Sequence, residues 1–312
     1  MALVGAGHMG RLHALKIRAL EEAGRTRLVA VVDLDAERAA EVAAEAGGRP
    51  GTALEPVLPD VDALVVAVPT ESHFRVVRAA LEAGVDVLVE KPIAASLDEA
   101  QQLLQLAHER SRVLQVGHLE WFNAAMRTVA SRIRRPRFIE AHRMGPFPAR
   151  GTDVDVVRDL MIHDLDIVLR LLGEEPSRID SIGVPVVTDR VDIANARLTF
   201  PGGCVANLTA SRVSPTPMRK IRFFQPDGYF SIDFLEQAVV LAQRGPRDAS
   251  GEREVHIERL DIDREDALLN QLESFCEAVA TRKVGAGAAD SGLAALRIAL
   301  RVVSAMPALE IE

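Results

Sequence analysis

Lys91 stands just past an apolar run, Val85-Asp86-Val87-Leu88-Val89, inside the tetrapeptide Val89-Glu90-Lys91-Pro92. An ammonium there can hydrogen-bond a hydroxyl and stabilise the charge that develops as that hydroxyl loses its proton. Pro92 has a fixed φ and restrains the residue before it, which helps set the lysine's direction. The same lysine also reads as a solvated residue ending a strand, and its position alone leaves both readings open. A second cluster is Asp159-Leu160-Met161-Ile162-His163-Asp164-Leu165-Asp166. On a helix, Asp159, His163, Asp166 and Arg170 form one polar stripe, with Leu160, Ile162, Leu165, Val168, Leu169 and Leu172 on much of the remaining surface. Such a stripe on a buried helix predicts a cleft or an interface, and the plainer alternative is a solvated face. His163 is the side chain there that changes charge near neutral pH, with an unperturbed pKa of about 6.5, so it is the natural general base. Asp159 can orient the imidazole or hold a substrate hydroxyl. The His–Asp spacing also suits a metal ion, but no third and fourth ligands accompany it, so no metal is expected.

The strand Ala2-Leu3-Val4 runs into Gly5-Ala6-Gly7-His8-Met9-Gly10. In a G-x-G-x-x-G turn, Gly5 permits the tight bend, Gly7 lets the backbone approach a pyrophosphate, and Gly10 lets the helix pack close to the strand. The helix starting near Met9 would aim unpaired N–H groups at that anion. The next apolar run, Leu28-Val29-Ala30-Val31-Val32, ends in Asp33, 23 residues after Gly10. An acid at that strand tip can accept hydrogen bonds from the adenosine ribose hydroxyls and repels a 2′-phosphate, which favours NAD over NADP.

These residues need a scaffold, and its pattern is visible. Up to about residue 119, helical stretches stopped by Gly24, Gly47-Gly48 and Gly84 alternate with the near-continuously apolar runs 62–68, 85–89 and 113–117. Ser96-Leu97-Asp98-Glu99 opens a further helix with a capping-box pattern. The alternation predicts an α/β fold with a doubly wound parallel sheet over 1–119. A different pattern follows in 120–312. Helices are expected near 122–133 and 156–172, and a strand over 137–143. Two hairpins are expected, across Pro201-Gly202-Gly203 and Pro226-Asp227-Gly228. In the first, Ala194, Ala196, Leu198 and Phe200 face Cys204, Ala206, Leu208 and Ala210 on one apolar side. The segment 244–254 is polar and is expected to be a mobile hairpin loop. This part therefore reads as an α+β domain with a largely antiparallel open sheet, its helices at about 266–306 packing back toward the first domain.

A chain of 312 residues, 48% hydrophobic, can bury two cores, and its net charge of −8 argues against general nucleic-acid binding. The two cysteines, Cys204 and Cys276, offer no disulfide framework. No apolar run approaches the ~20 residues that span a bilayer, and no basic-then-apolar leader precedes the first strand. The expectation is a cytoplasmic protein without membrane or nucleic-acid partners.

Taken together, Gly5–Gly10, Val68-Pro69-Thr70-Glu71-Ser72-His73, Glu90-Lys91-Pro92 and Asp159-x-x-x-His163 resemble the Gfo/Idh/MocA family of NAD(P)-dependent sugar and polyol oxidoreductases over essentially the whole chain. The resemblance implies an N-terminal Rossmann domain and a C-terminal α/β domain whose open sheet makes homodimers or homotetramers. It makes Lys91 and His163 the catalytic pair, converging on one nicotinamide ring, with Asp159 holding substrate. Gly5, Gly7, His8, Met9, Gly10, Asp33, Pro69, Thr70, His73, Glu90 and Lys91 become the NAD-binding set. Further motifs resemble the branch that oxidises nucleotide sugars at C-3 of a UDP-N-acetylhexosamine: Val116-Gly117-His118-Leu119-Glu120-Trp121-Phe122-Asn123, Arg143-Met144-Gly145-Pro146-Phe147 and Ser211-Arg212-Val213-Ser214. They add Glu120, Trp121, Phe122 and Asn123 as substrate contacts. Trp121 departs from that branch, which usually has arginine before Phe-Asn. A diphosphate tail also needs cations, for which Arg150 and Arg212 are first candidates, with Arg143, Arg219 and Lys220 behind them. Oxidation of a free polyol or aldose such as inositol, NAD-assisted glycoside cleavage and a non-catalytic NAD-binding regulator are the competing readings.

Overall fold

The N-terminal alternation folds as β1 (Ala2–Val4), α1 (His8–Glu22), β2 (Ala30–Val32), α2 (Ala36–Ala46), β3 (Arg49–Gly51), β4 (Ala63–Val66), α3 (Thr70–Glu82), β5 (Asp86–Val89), α4 (Leu97–Glu109) and β6 (Leu114–Val116). This computed structural model describes residues 1–147, 154–247, 253–283 and 288–308. The six strands pair in parallel in the order β3-β2-β1-β4-β5-β6. The order reverses between β1 and β4, and open α/β sheets bind their ligands at the carboxyl ends of strands flanking such a point. Every residue of β1, β2, β4 and β5 is buried, as the continuous apolar runs predict for strands covered on both faces. β3 carries no such signal: Arg49-Pro50-Gly51 reads as a turn, yet it forms the sheet's edge, where a missing N–H leaves no ladder bond unmade on the outer side. The α4 capping box forms as its sequence suggests, with Ser96 and Glu99 bonding reciprocally.

The remainder supplies α5 (Ala124–Val129), β7 (Phe138–Met144), a π-helical turn Val157–Met161, α6 (Ile162–Leu172), β8 (Arg178–Val184), β9 (Ile193–Thr199), β10 (Val205–Ser211), β11 (Met218–Gln225), β12 (Gly228–Asp233), β13 (Ala238–Arg247) and β14 (Arg253–Leu260). These strands form one sheet in the order β14-β13-β12-β11-β7-β10-β9-β8, with β7 and β10 parallel and the other neighbours antiparallel. Both expected hairpins are present. Of the polar segment 244–254, the described ends are corrected: β13 continues to Arg247 and pairs with Arg253 at the start of β14, because edge strands can pair regularly without apolar residues, while 248–252 lie outside the described residues. One core joins Ala196, Leu198, Ala206, Leu208, Ile221 and Phe223 of the sheet to Ile162, Leu165 and Val168 of α6. Burying a side chain of that kind contributes about 1.5–3 kcal/mol. That core holds α6, and the residues on its polar side, in one orientation.

Two helices end the chain, α7 (Ala267–Thr281) and α8 (Ala289–Ser304). Met1–Leu119 and Asp266–Leu293 form one compact unit, and Glu120–Glu265 with the residues from Ala294 form another. The C-terminal helices are therefore divided. Leu272, Phe275 and Ala278 pack with Leu3, Ile17 and Leu88 in the first core, whereas Ala295, Ile298, Ala299 and Val302 belong to the second. Among the described residues no helix is long and apolar enough to cross a membrane.

Candidate functional site

In the first unit the glycine turn is built for close approach. Gly5 has φ +94°, and a Cβ there would lie 2.5 Å from the Ala67 carbonyl oxygen. A Cβ on Gly10 would collide with the Gly5 carbonyl oxygen, while nothing lies within 4 Å of the corresponding point at Gly7. Gly7 is the N-cap of α1 and supplies no capping side chain, so the helix's first N–H groups point toward the turn unspent. Exposed His8 and half-buried Met9 follow it. Asp33 Oδ2 accepts from the Ala6 N–H at 2.7 Å and Oδ1 from the Asp35 N–H at 2.9 Å, which fixes the carboxylate beside the turn with lone pairs remaining. An open approach at Gly7, a helix start without a side-chain cap and a fixed acid together fit a dinucleotide: the pyrophosphate at the turn, the ribose hydroxyls at Asp33.

Beyond β4, exposed Pro69 is the N-cap of α3 and half-buried Thr70 begins it. His73 departs from expectation. It is 1% exposed, with Nδ1 2.8 Å from the Pro92 carbonyl oxygen and Nε2 2.9 Å from that of Val68. Both ring nitrogens face backbone, so His73 is corrected from a cofactor contact to an internal tie. Burial holds its pKa below the usual imidazole value, although the two carbonyls work against that. After β5, Glu90 Oε1 lies 2.7 Å from Nε2 of His13 on α1. Burial alone would raise the Glu90 pKa, but the His13 bond and the nearby charges of His13 and Lys91 carry it below the ordinary value. Lys91 follows, half-buried. His13 was missed by the sequence reading. Its signal was a histidine on the apolar face of α1, among Gly10, Ala14 and Ile17.

In the second unit Asp159 lies within the π turn and His163 in the first turn of α6, both half-buried. The regular stripe is thus corrected, because the wider turn changes the angle between Asp159 and His163. Single π turns inside helices are frequent at functional positions. The far end of the stripe is internal. Asp166 is 1% exposed and accepts from Arg170 Nε at 2.7 Å, and the Arg170 guanidinium lies 5.2 Å from the centroid of the Trp121 ring.

Several expected substrate contacts prove to be framework. Glu120 is buried and accepts from Arg143 Nη1 at 2.5 Å, while Arg143 Nε and Nη2 donate to Asp164 at 3.0 and 2.9 Å. Burial alone would ease loss of the guanidinium proton, but these two carboxylates reverse that and raise its pKa. Phe122 is buried, and Asn123 caps α5 and donates Nδ2 to the Phe234 carbonyl at 3.2 Å. Arg212 is 1% exposed and donates to Asp192, to the Val154 carbonyl and to Thr188. Its fork is consumed internally, so it is corrected as a diphosphate ligand. Lys220 pairs with Asp233, and exposed Arg219 lies 3.7 Å from Glu120. Arg150 lies outside the described residues.

Residues 1–118 match the oxidoreductase family with an NAD-binding Rossmann fold, and residues 125–231 match the GFO/IDH/MocA C-terminal domain. A UDP-N-acetylglucosamine 3-dehydrogenase of Acidithiobacillus ferrooxidans is 41% identical over 282 residues, which is 90% of this chain and 88% of the relative. The chain belongs to the Gfo/Idh/MocA oxidoreductase family. A solved structure of UDP-N-acetylglucosamine 3-dehydrogenase from that organism superposes with a TM-score of 0.91 at 40% identity, covering 98% of this chain and 96% of the other. A scyllo-inositol 2-dehydrogenase (NAD(+)) of Bacillus subtilis is 30% identical over 69% of this chain and 67% of its own length. As a member of the family the chain is an oxidoreductase with an NAD-binding Rossmann domain, and the glycine turn and Asp33 are where its sequence and geometry meet that description.

Proposed function

We propose that this protein oxidises a secondary hydroxyl of a sugar, specifically C-3 of a UDP-N-acetylhexosamine, by hydride transfer to NAD. The match to a UDP-N-acetylglucosamine 3-dehydrogenase across 90% of the chain carries the reading. Bound NAD supplies the hydride acceptor. In this reading Lys91 hydrogen-bonds the reacting oxygen and stabilises its developing charge, and His163 takes the hydroxyl proton. Asp159 holds a neighbouring hydroxyl or the imidazole. Half-buried Trp121 and the guanidinium of Arg219 are the remaining described candidates for substrate contact.

The test follows NADH absorbance with UDP-N-acetylglucosamine, UDP-N-acetylgalactosamine, the free amino sugars and scyllo- and myo-inositol. Turnover confined to the UDP-sugars is expected, with Lys91→Ala and His163→Ala each losing about 10²-fold or more in kcat while NADH still binds. Turnover confined to inositols would replace this reading with the polyol one, which the Bacillus subtilis relative favours. Full activity in both variants would remove the catalytic assignment.

A homodimer or homotetramer formed through the eight-stranded sheet belongs to the same reading. Val255 and Ile257 on one face of β14 are 62% and 70% exposed, which is costly for a monomer. Light scattering should give a multiple of the chain mass, reduced in a Val255→Glu/Ile257→Glu variant.

A further inference from the structure

Two buried imidazoles hold the residues on either side of Lys91. His13 is fully buried on α1 and its Nε2 contacts the Glu90 carboxylate at 2.7 Å. His73 on α3 contacts the Pro92 carbonyl through Nδ1 at 2.8 Å and the Val68 carbonyl through Nε2 at 2.9 Å. The residue before the lysine is therefore anchored by its side chain and the residue after it by its backbone. Gly117 completes the seat, since a Cβ there would lie 3.1 Å from both the Cα and Oε2 of Glu90.

Packing alone does not account for His13. Nδ1 of His13 is buried with no hydrogen-bond partner among the described residues. Leaving such an atom unsatisfied costs about 1–3 kcal/mol, and a leucine at that place on α1 would avoid the cost. Polar groups kept in a core against local preference mark a position where something other than stability sets the residue.

We propose that His13 and His73 are positioning residues for Lys91, fixing the Glu90-Lys91-Pro92 backbone so that the ammonium meets the reacting oxygen. The role rests on the reading of Lys91 given above. It acts through geometry: a displacement of about 1 Å at a reacting group can lower turnover by about 10²-fold.

Isosteric amides separate the contacts. The His73→Asn side chain can place its N–H near the position of Nδ1, toward Pro92, whereas that of His73→Gln can reach the position of Nε2, toward Val68. Similarly, His13→Gln can donate to Glu90 and His13→Leu cannot. The expected result is that His13→Leu and His73→Gln lose about 10- to 100-fold in kcat. His13→Gln and His73→Asn should recover at least about tenfold of that loss. NADH affinity should fall by less than kcat does, because the glycine turn and Asp33 are untouched. The isotope effect on kcat with substrate deuterated at the oxidised carbon should rise in the impaired variants. Amide exchange over residues 89–94, measured on NAD-saturated protein, should quicken in His13→Leu and His73→Gln only. Equal kcat and exchange in the two His73 variants would overturn the proposal, as would wild-type exchange at 89–94 in His13→Leu, even with a lowered Tm. If the wild type oxidises no sugar or polyol, the functional reading fails by itself, and the exchange result alone decides this one.

Discussion

Arg143 and Asp164 form a two-pronged pair, with side chains each 3% exposed and donor–acceptor distances of 2.9 and 3.0 Å. Arg143 also reaches Glu120, and its guanidinium lies 5.6 Å from the centroid of the Phe234 ring, so one cation joins β7, α6 and the start of the second unit. Asp164 is the neighbour of His163. Arg143→Ala should therefore destabilise the second unit by about 3–5 kcal/mol, because it strands two buried carboxylates. Trp121 is the chain's one tryptophan and belongs to that unit, so its fluorescence follows this transition in urea. Arg143→Lys should recover little, since an ammonium cannot make the fork.

Asp33 and the glycine turn make the cofactor prediction. Asp33→Ala removes an acceptor for the ribose and should weaken NADH binding by about 10- to 100-fold, the worth of a hydrogen bond to a charged group. Gly10→Ala should abolish binding by driving its Cβ into the Gly5 carbonyl. Fluorescence titration with NADH checks both, and unchanged affinity in either variant would contradict the placement of the dinucleotide.

Asp192 makes the second unit acid-sensitive. Burial favours its protonated form, but the N–H groups of Thr188, Val187 and Val186 and the Arg212 guanidinium more than offset this, holding its pKa well below the carboxylate range. A group depressed in the folded state contributes stability that is present above its unfolded pKa of about 3.9 and lost as pH falls below it. Wild-type stability should therefore decline as the pH is lowered from about 4 toward the folded value. Asp192→Asn should be less stable at pH 7 and show a flatter slope in that window. Urea titrations monitored at Trp121 measure both quantities.

Trp121 and Arg170 should behave as a coupled pair. Arg170→Ala removes a stacked cation worth about 0.5–2 kcal/mol and leaves the buried Asp166 without that ion pair. Trp121→Arg alone should also destabilise, by placing two guanidinium groups together. In the Trp121→Arg/Arg170→Leu double variant the new arginine can serve Asp166, so the losses should not add. Thermal unfolding followed by circular dichroism gives the four corners of the cycle.

Much of the architecture was legible because its signals are local. Gly24, Gly47 and Gly84 end helices, Ser96 and Glu99 open one, and the runs at 63–66 and 86–89 have the composition of doubly covered strands. β3 was illegible because Arg49-Pro50-Gly51 is extended only by pairing with β2, and the ends of β13 and β14 because they gain order from each other. The geometry of the glycine turn and of Asp33 was readable from spacing, since it is set by their own backbone or by a neighbour in the same β-α-β unit. Arg212, Glu120 and Asn123 were misread for the converse reason: a polar side chain does not carry in its type whether its partner is a ligand or the protein.

The order of residues alone determined the parallel β-α alternation, the glycine turn with its acid, and the presence of a lysine at a strand end and a histidine on an apolar helix. Those features depend on stereochemistry within a few residues and on hydrophobic period. Tertiary structure decided which charges are consumed. Arg143 and Arg212 are held by carboxylates 20 to 23 residues away, and His13 meets Glu90 across 77 residues of chain. Such pairings follow from strand order and helix packing, which bring together groups that no local pattern relates.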